Sequence, residues 1–104
     1  MTQIQMSRNH TELWVTLGTT LSAAQVPELQ AALKHEINDG VRELILDMQQ
    51  TASLDSTGIG LLVAISNSMT TVQGQLRLVN VSADIFKLLR SMRLVDRLHA
   101  SPTD

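Results

Sequence analysis

Three consecutive large aliphatic residues, Leu44-Ile45-Leu46, sit inside the segment Val41 to Met48 with no polar residue between them. A strand with one wet face alternates apolar and polar residues, so an uninterrupted run predicts a central strand covered on both faces, of the kind found in parallel sheets. Parallel neighbours need crossover connections, and the flanking segments supply helical ones. From Ala23 to Asn38, Val26, Leu29, Leu33 and Ile37 recur at spacings of three and four. That spacing predicts an amphipathic helix, with Ser22 as its N-cap, Pro27 in its first turn and Gly40 as its terminator.

Thr57 to Thr71 carries Ile59, Leu61, Leu62, Val63, Ala64, Ile65 and Met69, which predicts a largely buried helix whose polar side is Ser66, Asn67, Thr70 and Thr71. Gly74 ends that segment. Leu76 to Asn80 alternates as a strand, and Ser82 caps a helix through Ser91 that buries Ile85, Phe86 and Leu89. Upstream, Gln3 to Ser7 and Glu12 to Leu17 read as strands joined by a tight turn at Arg8 to Thr11, and Leu94 to His99 as a last short strand. The order is ββαβαβαβ, an α/β single domain with a mixed sheet and right-handed crossovers. The 104 residues suffice for one core, so residues 1–104 form one domain.

Composition narrows the function. Aromatics are 2% of the chain, Trp14 and Phe86, too few for platforms that stack nucleic-acid bases. Eight basic and ten acidic residues leave a net charge of -2, opposite in sign to a phosphate-binding footprint, so nucleic acid is a poor partner. Cysteine is absent, so there is no disulfide framework and no thiolate chemistry. The polar stretch Met1 to His10 lacks the apolar run of a signal peptide, and Ile59 to Ile65 is too short to cross a bilayer. A cytoplasmic protein without membrane insertion is expected.

Gly-x-Gly-x-x-Gly and a Walker lysine are both missing, so the usual nucleotide cradles of such folds are disfavoured. His10, His35 and His99 form no i, i+4 pair, which predicts exposed or locally bonded histidines and no metal site. Asp47 and Asp55 could meet at one sheet edge, where a strand-end or capping role outweighs acid-base work. Lys87, Arg90, Arg93 and Arg97 follow roughly helical spacing; a solvated face is the simple reading and an acidic partner the sharper one.

The informative stretch is Leu54-Asp55-Ser56-Thr57-Gly58-Ile59-Gly60, where hydroxyl residues and two glycines lead into the buried helix. Asp55 or Ser56 can be a simple N-cap, worth about 1 kcal/mol. The glycines ask for more, since each costs a helix about 1 kcal/mol against alanine. Helix packing, a docked partner, or a phosphate on the helix N-terminus would each answer. An aspartic-protease motif fails on register, because a hydroxyl residue too many separates Asp55 from Gly58 and the surrounding pattern is helical. No nucleophile, base and orienter occur together, so no enzyme activity is expected.

The motif Asp55-Ser56-Thr57-Gly58-Ile59-Gly60, preceded by Leu44-Ile45-Leu46-Asp47, resembles the signature of STAS domains of the anti-sigma factor antagonist type. The Gly18 turn and the late strand Gly74 to Val79 extend the resemblance over about Gln3 to His99. It implies a partner switch in transcription regulation. The unmodified antagonist binds an anti-sigma factor with a serine-kinase fold, the kinase phosphorylates the serine matching Ser56, and a metal-dependent serine phosphatase restores it. The chain is then substrate and binder with no cofactor of its own; Mg²⁺ and ATP belong to the kinase. The expected partner surface is Thr20, Leu21, Ser22, Asp55, Ser56, Thr57, Gly58 and Gly60, with Ser53 and Thr57 as competing phosphorylation sites. The other reading is a STAS accessory subunit of a lipid or solute transporter, or of another signalling assembly. Two departures stand out. Gly18-Thr19-Thr20-Leu21-Ser22 has an extra residue, and serine where the family often has a recognition aspartate. Many members continue into a final helix beyond the position of Asp104, so part of the first helix's cover is expected to be missing.

Overall fold

In the computed structural model, residues 4–103 are described. Gln3, where the first strand was expected to start, lies outside them. The elements are β1 (Gln5–Asn9), β2 (Glu12–Thr16), β3 (Thr20–Leu21), α1 (Val26–Asn38), β4 (Glu43–Asp47), β5 (Ser53–Leu54), α2 (Ser56–Thr71), β6 (Gln75–Val81), α3 (Ala83–Ser91) and β7 (Ala100–Pro102). Five strands form one sheet in the order β1-β2-β4-β6-β7, antiparallel at β1-β2 and parallel elsewhere. The expected mixed α/β sheet is therefore present. It is joined by a small parallel pair, β3-β5, that the sequence pattern did not announce.

Leu13, Val15, Leu44, Leu46, Leu76 and Leu78 face one side of the sheet, where Leu29, Leu33, Leu62, Ile65, Met69, Ile85 and Leu89 from all three helices cover them. The arrangement has two layers, and β4 is covered on both faces as expected, with Leu44 and Leu46 fully buried on the helix side. Ile45 is only 2% exposed. On the helix-free face its partners in register are Trp14 and Arg77, whose long side chains flank and shield it. The contiguous run reflects that lateral shielding.

Other boundaries move for local reasons. The regular part of α1 begins at Val26, and Gln25, its N-cap, makes no side-chain cap bond. Ser22 instead heads the preceding turn, its carbonyl accepting from Gln25 N and Val26 N, while Gln25 Oε1 accepts from the Ser22 N–H and hydroxyl. Gly40 follows α1 at φ +106°, as a helix terminator should. Ser66 is buried rather than on the polar side of α2, its hydroxyl directed at the Arg97 carbonyl at 3.4 Å. Residues 95–99 are a turn, and the last strand starts only at Ala100, so the expected strand at Leu94 to His99 is absent. The apolar positions Leu94, Val95 and Leu98 pack against the core from that turn, which explains why their pattern resembles a strand.

Candidate partner-binding and modification site

β4 ends in Asp47, and the chain then passes through β5 into α2 at the same edge of the sheet. Asp47 is largely buried, and its Oδ1 accepts from Gln49 N at 3.0 Å and Asn80 Nδ2 at 3.1 Å. It thus shapes the first turn of the β4-β5 loop. Thr51, buried, donates its hydroxyl to the Gly18 carbonyl at 2.8 Å, and Ala52 N and Ser53 N both donate to the Thr19 carbonyl. These bonds stitch the β2-β3 loop to the β4-β5 loop, and the pairing Thr20↔Ser53, Leu21↔Leu54 completes the seam. Residues more than 30 apart in sequence are thereby held side by side.

Asp55 is the junction. Its extended backbone (φ -98°, ψ -179°) is that of an N-cap, and Oδ1 accepts from Gly58 N at 2.8 Å. Oδ2 accepts from Ala23 N at 3.3 Å, and Asp55 N donates to the Leu21 carbonyl at 3.3 Å. One carboxylate therefore caps α2 and also ties it to the turn before α1. The carboxylates of Asp47 and Asp55 serve different loops, with no shared hydrogen-bond partner, and each has the strand-end or capping role that needs no proton transfer.

Around this junction Thr20, Asp55, Ser56, Thr57 and Gly60 are exposed, Ser22 is half-buried, and Leu21 and Gly58 are buried. Leu21 and Gly58 therefore shape the surface from beneath. A Cβ on Gly58 would lie 2.4 Å from the Leu21 carbonyl oxygen and 2.9 Å from Leu54 Cδ1, so this glycine exists for close packing of α2 on β3. A Cβ on Gly60 would meet nothing within 4 Å. Among the described residues, no hydrogen bond involves the hydroxyl of Ser56 or Thr57. The Ser22 hydroxyl is committed to Gln25, and the Ser53 and Thr20 hydroxyls lie 3.3 Å from each other.

A depression of about 350 Å³ lies beside β3, with Thr19, Gln25 and Glu28, which are outside the expected site residues, on its rim. Ser22-x-x-Gln25 has the spacing of a capping box, and half of that box forms, Gln25 Oε1 accepting from Ser22 N at 3.1 Å, although α1 itself starts only at Val26. The histidines lie apart: His10 in the β1-β2 turn, His35 exposed on α1, and His99 with Nδ1 2.8 Å from the Leu76 carbonyl. Among the described residues, no group of three or more His, Asp or Glu is placed to hold a metal, and no helix is long and apolar enough to cross a membrane.

The chain is thus a two-layer α/β domain whose sheet edge presents a capped, hydroxyl-bearing helix start. The STAS domain family matches residues 3–103, and the chain belongs to it. The anti-sigma-B factor antagonist of Staphylococcus aureus (strain NCTC 8325 / PS 47) is 30% identical over 87 residues, 84% of this chain and 81% of that protein. The one from Staphylococcus epidermidis is 28% identical over the same length. Among solved structures, the anti-sigma factor antagonist SpoIIAA in its unphosphorylated form superposes with a TM-score of 0.84 at 20% identity, covering 94% of this chain and 87% of that one. The STAS fold expected from the motif is thus confirmed by family, relatives and architecture.

Proposed function

We propose that this chain is an anti-sigma factor antagonist working through a partner switch in which phosphorylation of Ser56 releases the partner. The observation that carries the reading is the Ser56 hydroxyl, exposed at the first turn of α2 and without a hydrogen bond among the described residues, because Asp55 performs the capping. The staphylococcal relatives named as antagonists support it. Fold alone is not decisive, since the murine anion transporter Slc26a9 also superposes with a TM-score of 0.74, this chain covering 17% of that one. The partner is an anti-sigma factor acting as an ATP-dependent serine kinase, and a serine phosphatase reverses the modification. Both steps take place in the cytoplasm. The chain itself is substrate and binder.

A phosphoserine carries about -1.5 to -2 charge at neutral pH. Asp55 repels that charge while the α2 N-terminus attracts it, each on the order of 1 kcal/mol, so folding stability changes little. The surface residues Thr20, Ser22, Asp55, Ser56 and Thr57 include no cation. A phosphate closed into an interface there without a cationic partner costs several kcal/mol, and about 2.7 to 4 kcal/mol is a hundred- to thousandfold in affinity.

Peptide mass spectrometry on the protein isolated from its own cells should place phosphate on Ser56. Calorimetry with the anti-sigma factor recovered alongside it should show Ser56→Ala binding as the unmodified chain does and Ser56→Asp binding at least a hundredfold more weakly. Phosphate on Thr57 or Ser53 instead, or tight binding by Ser56→Asp, sinks the assignment.

A further inference from the structure

We infer that the C-terminal half of α3 is a second docking surface, separate from the Ser56 edge, and that it takes an acidic amphipathic helix of another protein. Two observations meet there. Leu88 and Met92, one helical turn apart, are 37% and 46% exposed, an apolar pair on a surface with few other large exposed hydrophobics. The same stretch carries Lys87, Arg90, Arg93 and Arg97, half of the chain's eight cations within eleven residues; Lys87 and Arg93 adjoin Leu88 and Met92 in the chain, whereas Arg90, two residues from each, stands on the far side of α3. None of the four forms an ion pair among the described residues, whereas Arg8 and Arg77 do. Arg90 lies over the Phe86 ring at 5.2 Å, and Arg97 donates to Asn67 Oδ1 at 2.6 Å. Lys87 and Arg93 have no such partner among the described residues. The single acid between residues 85 and 103 is Asp96.

A cation or two near a helix C-terminus is accounted for by the helix dipole, but the dipole gives no reason for an exposed apolar pair. An occupant with apolar residues at i, i+4 and flanking carboxylates satisfies both features at once. Three of the four cations are arginine, whose planar fork suits bidentate carboxylate recognition better than diffuse attraction to a lipid surface. Two apolar anchors are also too few to embed a helix in a bilayer interface. The surface is remote from Ser56 by topology. β4 and β6 are parallel, so α2 and α3 both start at the edge holding Ser56, and α3 runs back to end at the opposite edge. A protein bound at the end of α3 leaves the Ser56 edge free.

The test is to pan a displayed library of helical peptides against the full chain, counter-selecting with the Lys87→Glu/Arg93→Glu variant. Enriched peptides should carry Asp or Glu beside large apolar residues spaced i, i+4. They should shift amide resonances of residues 86–97, and bind at least tenfold more weakly to Leu88→Ser/Met92→Ser and to the charge-reversed variant, both folded by circular dichroism. Ser56→Asp should bind them unchanged. Enrichment of neutral or basic peptides, no difference between wild type and the two variants, or capture of the wild type by phosphatidylserine vesicles in place of any peptide would overturn the proposal.

Discussion

The two glycines of Gly58-Ile59-Gly60 look equivalent in the sequence, but the structure predicts opposite responses to alanine. At Gly58 the new Cβ would stand 2.4 Å from the Leu21 carbonyl oxygen and 3.1 Å from its carbon. Leu54 Cδ1, at 2.9 Å, can rotate away. The carbonyl cannot move so easily, since it accepts from Asp55 N and belongs to the β3-β5 pair. Overpacking costs about 1–3 kcal/mol, and a 2.4 Å approach to a held backbone oxygen belongs in the upper part of that range, about 2–3 kcal/mol, against about 1 kcal/mol gained from alanine's helix propensity. A net loss of roughly 1–2 kcal/mol is expected for Gly58→Ala. At about 4–8 °C per kcal/mol for a domain near this size, its Tm should fall by roughly 4–16 °C. Gly60→Ala keeps the propensity gain without the collision and should be stabilised by roughly 0.5–1 kcal/mol. Urea titration at constant m-value reads both, with calorimetry as the check. Gly60→Leu, at an exposed position with open space around the Cβ site, should fold normally yet weaken binding of the anti-sigma partner. A Gly58→Ala protein as stable as wild type, or a destabilised Gly60→Ala, would refute the packing argument; a Gly60→Leu protein that binds normally would remove Gly60 from the partner surface.

Asp55→Ala removes the α2 cap and the tie to Ala23 N, and should lower the free energy of unfolding by about 1–2 kcal/mol in denaturant titration. Gln73 ends α2 with φ +61° while Gly74 serves a close approach, its Cβ position 2.6 Å from the Arg42 carbonyl oxygen. Gln73→Gly should therefore raise stability by about 1 kcal/mol, and Gly74→Ala should lower it, by thermal melting. Asn80 sits at φ +57° and donates to the buried Asp47 carboxylate. Asn80→Ala should cost about 1–3 kcal/mol, and Asn80→Gly, which keeps the backbone relaxed, should cost less; the reverse order in urea titration would contradict this account.

The order of the long elements, the mixed sheet and the helix start at the Asp-Ser-Thr-Gly motif were legible in the residues, because periodicity and caps are local signals that neighbours in the chain carry together. The position of Gly40, the cap at Ser82 and the family motif belong to the same kind. Tertiary structure alone decided the rest. Nothing in Thr20-Leu21 or Ser53-Leu54 announces a two-residue parallel pair, since its strands are too short for any periodicity and exist only because Thr51 and the Thr19 carbonyl bring distant loops together. Ile45 resembles a residue covered by a helix, whereas its cover comes from Trp14 and Arg77 on neighbouring strands. Leu94 to Leu98 has the composition of a strand but packs as a turn, because burial of apolar side chains does not require ladder hydrogen bonds. Gly58 and Gly60 differ only in what lies across from them, a carbonyl 37 residues earlier in the chain or open space, and sequence spacing carries no record of that distance.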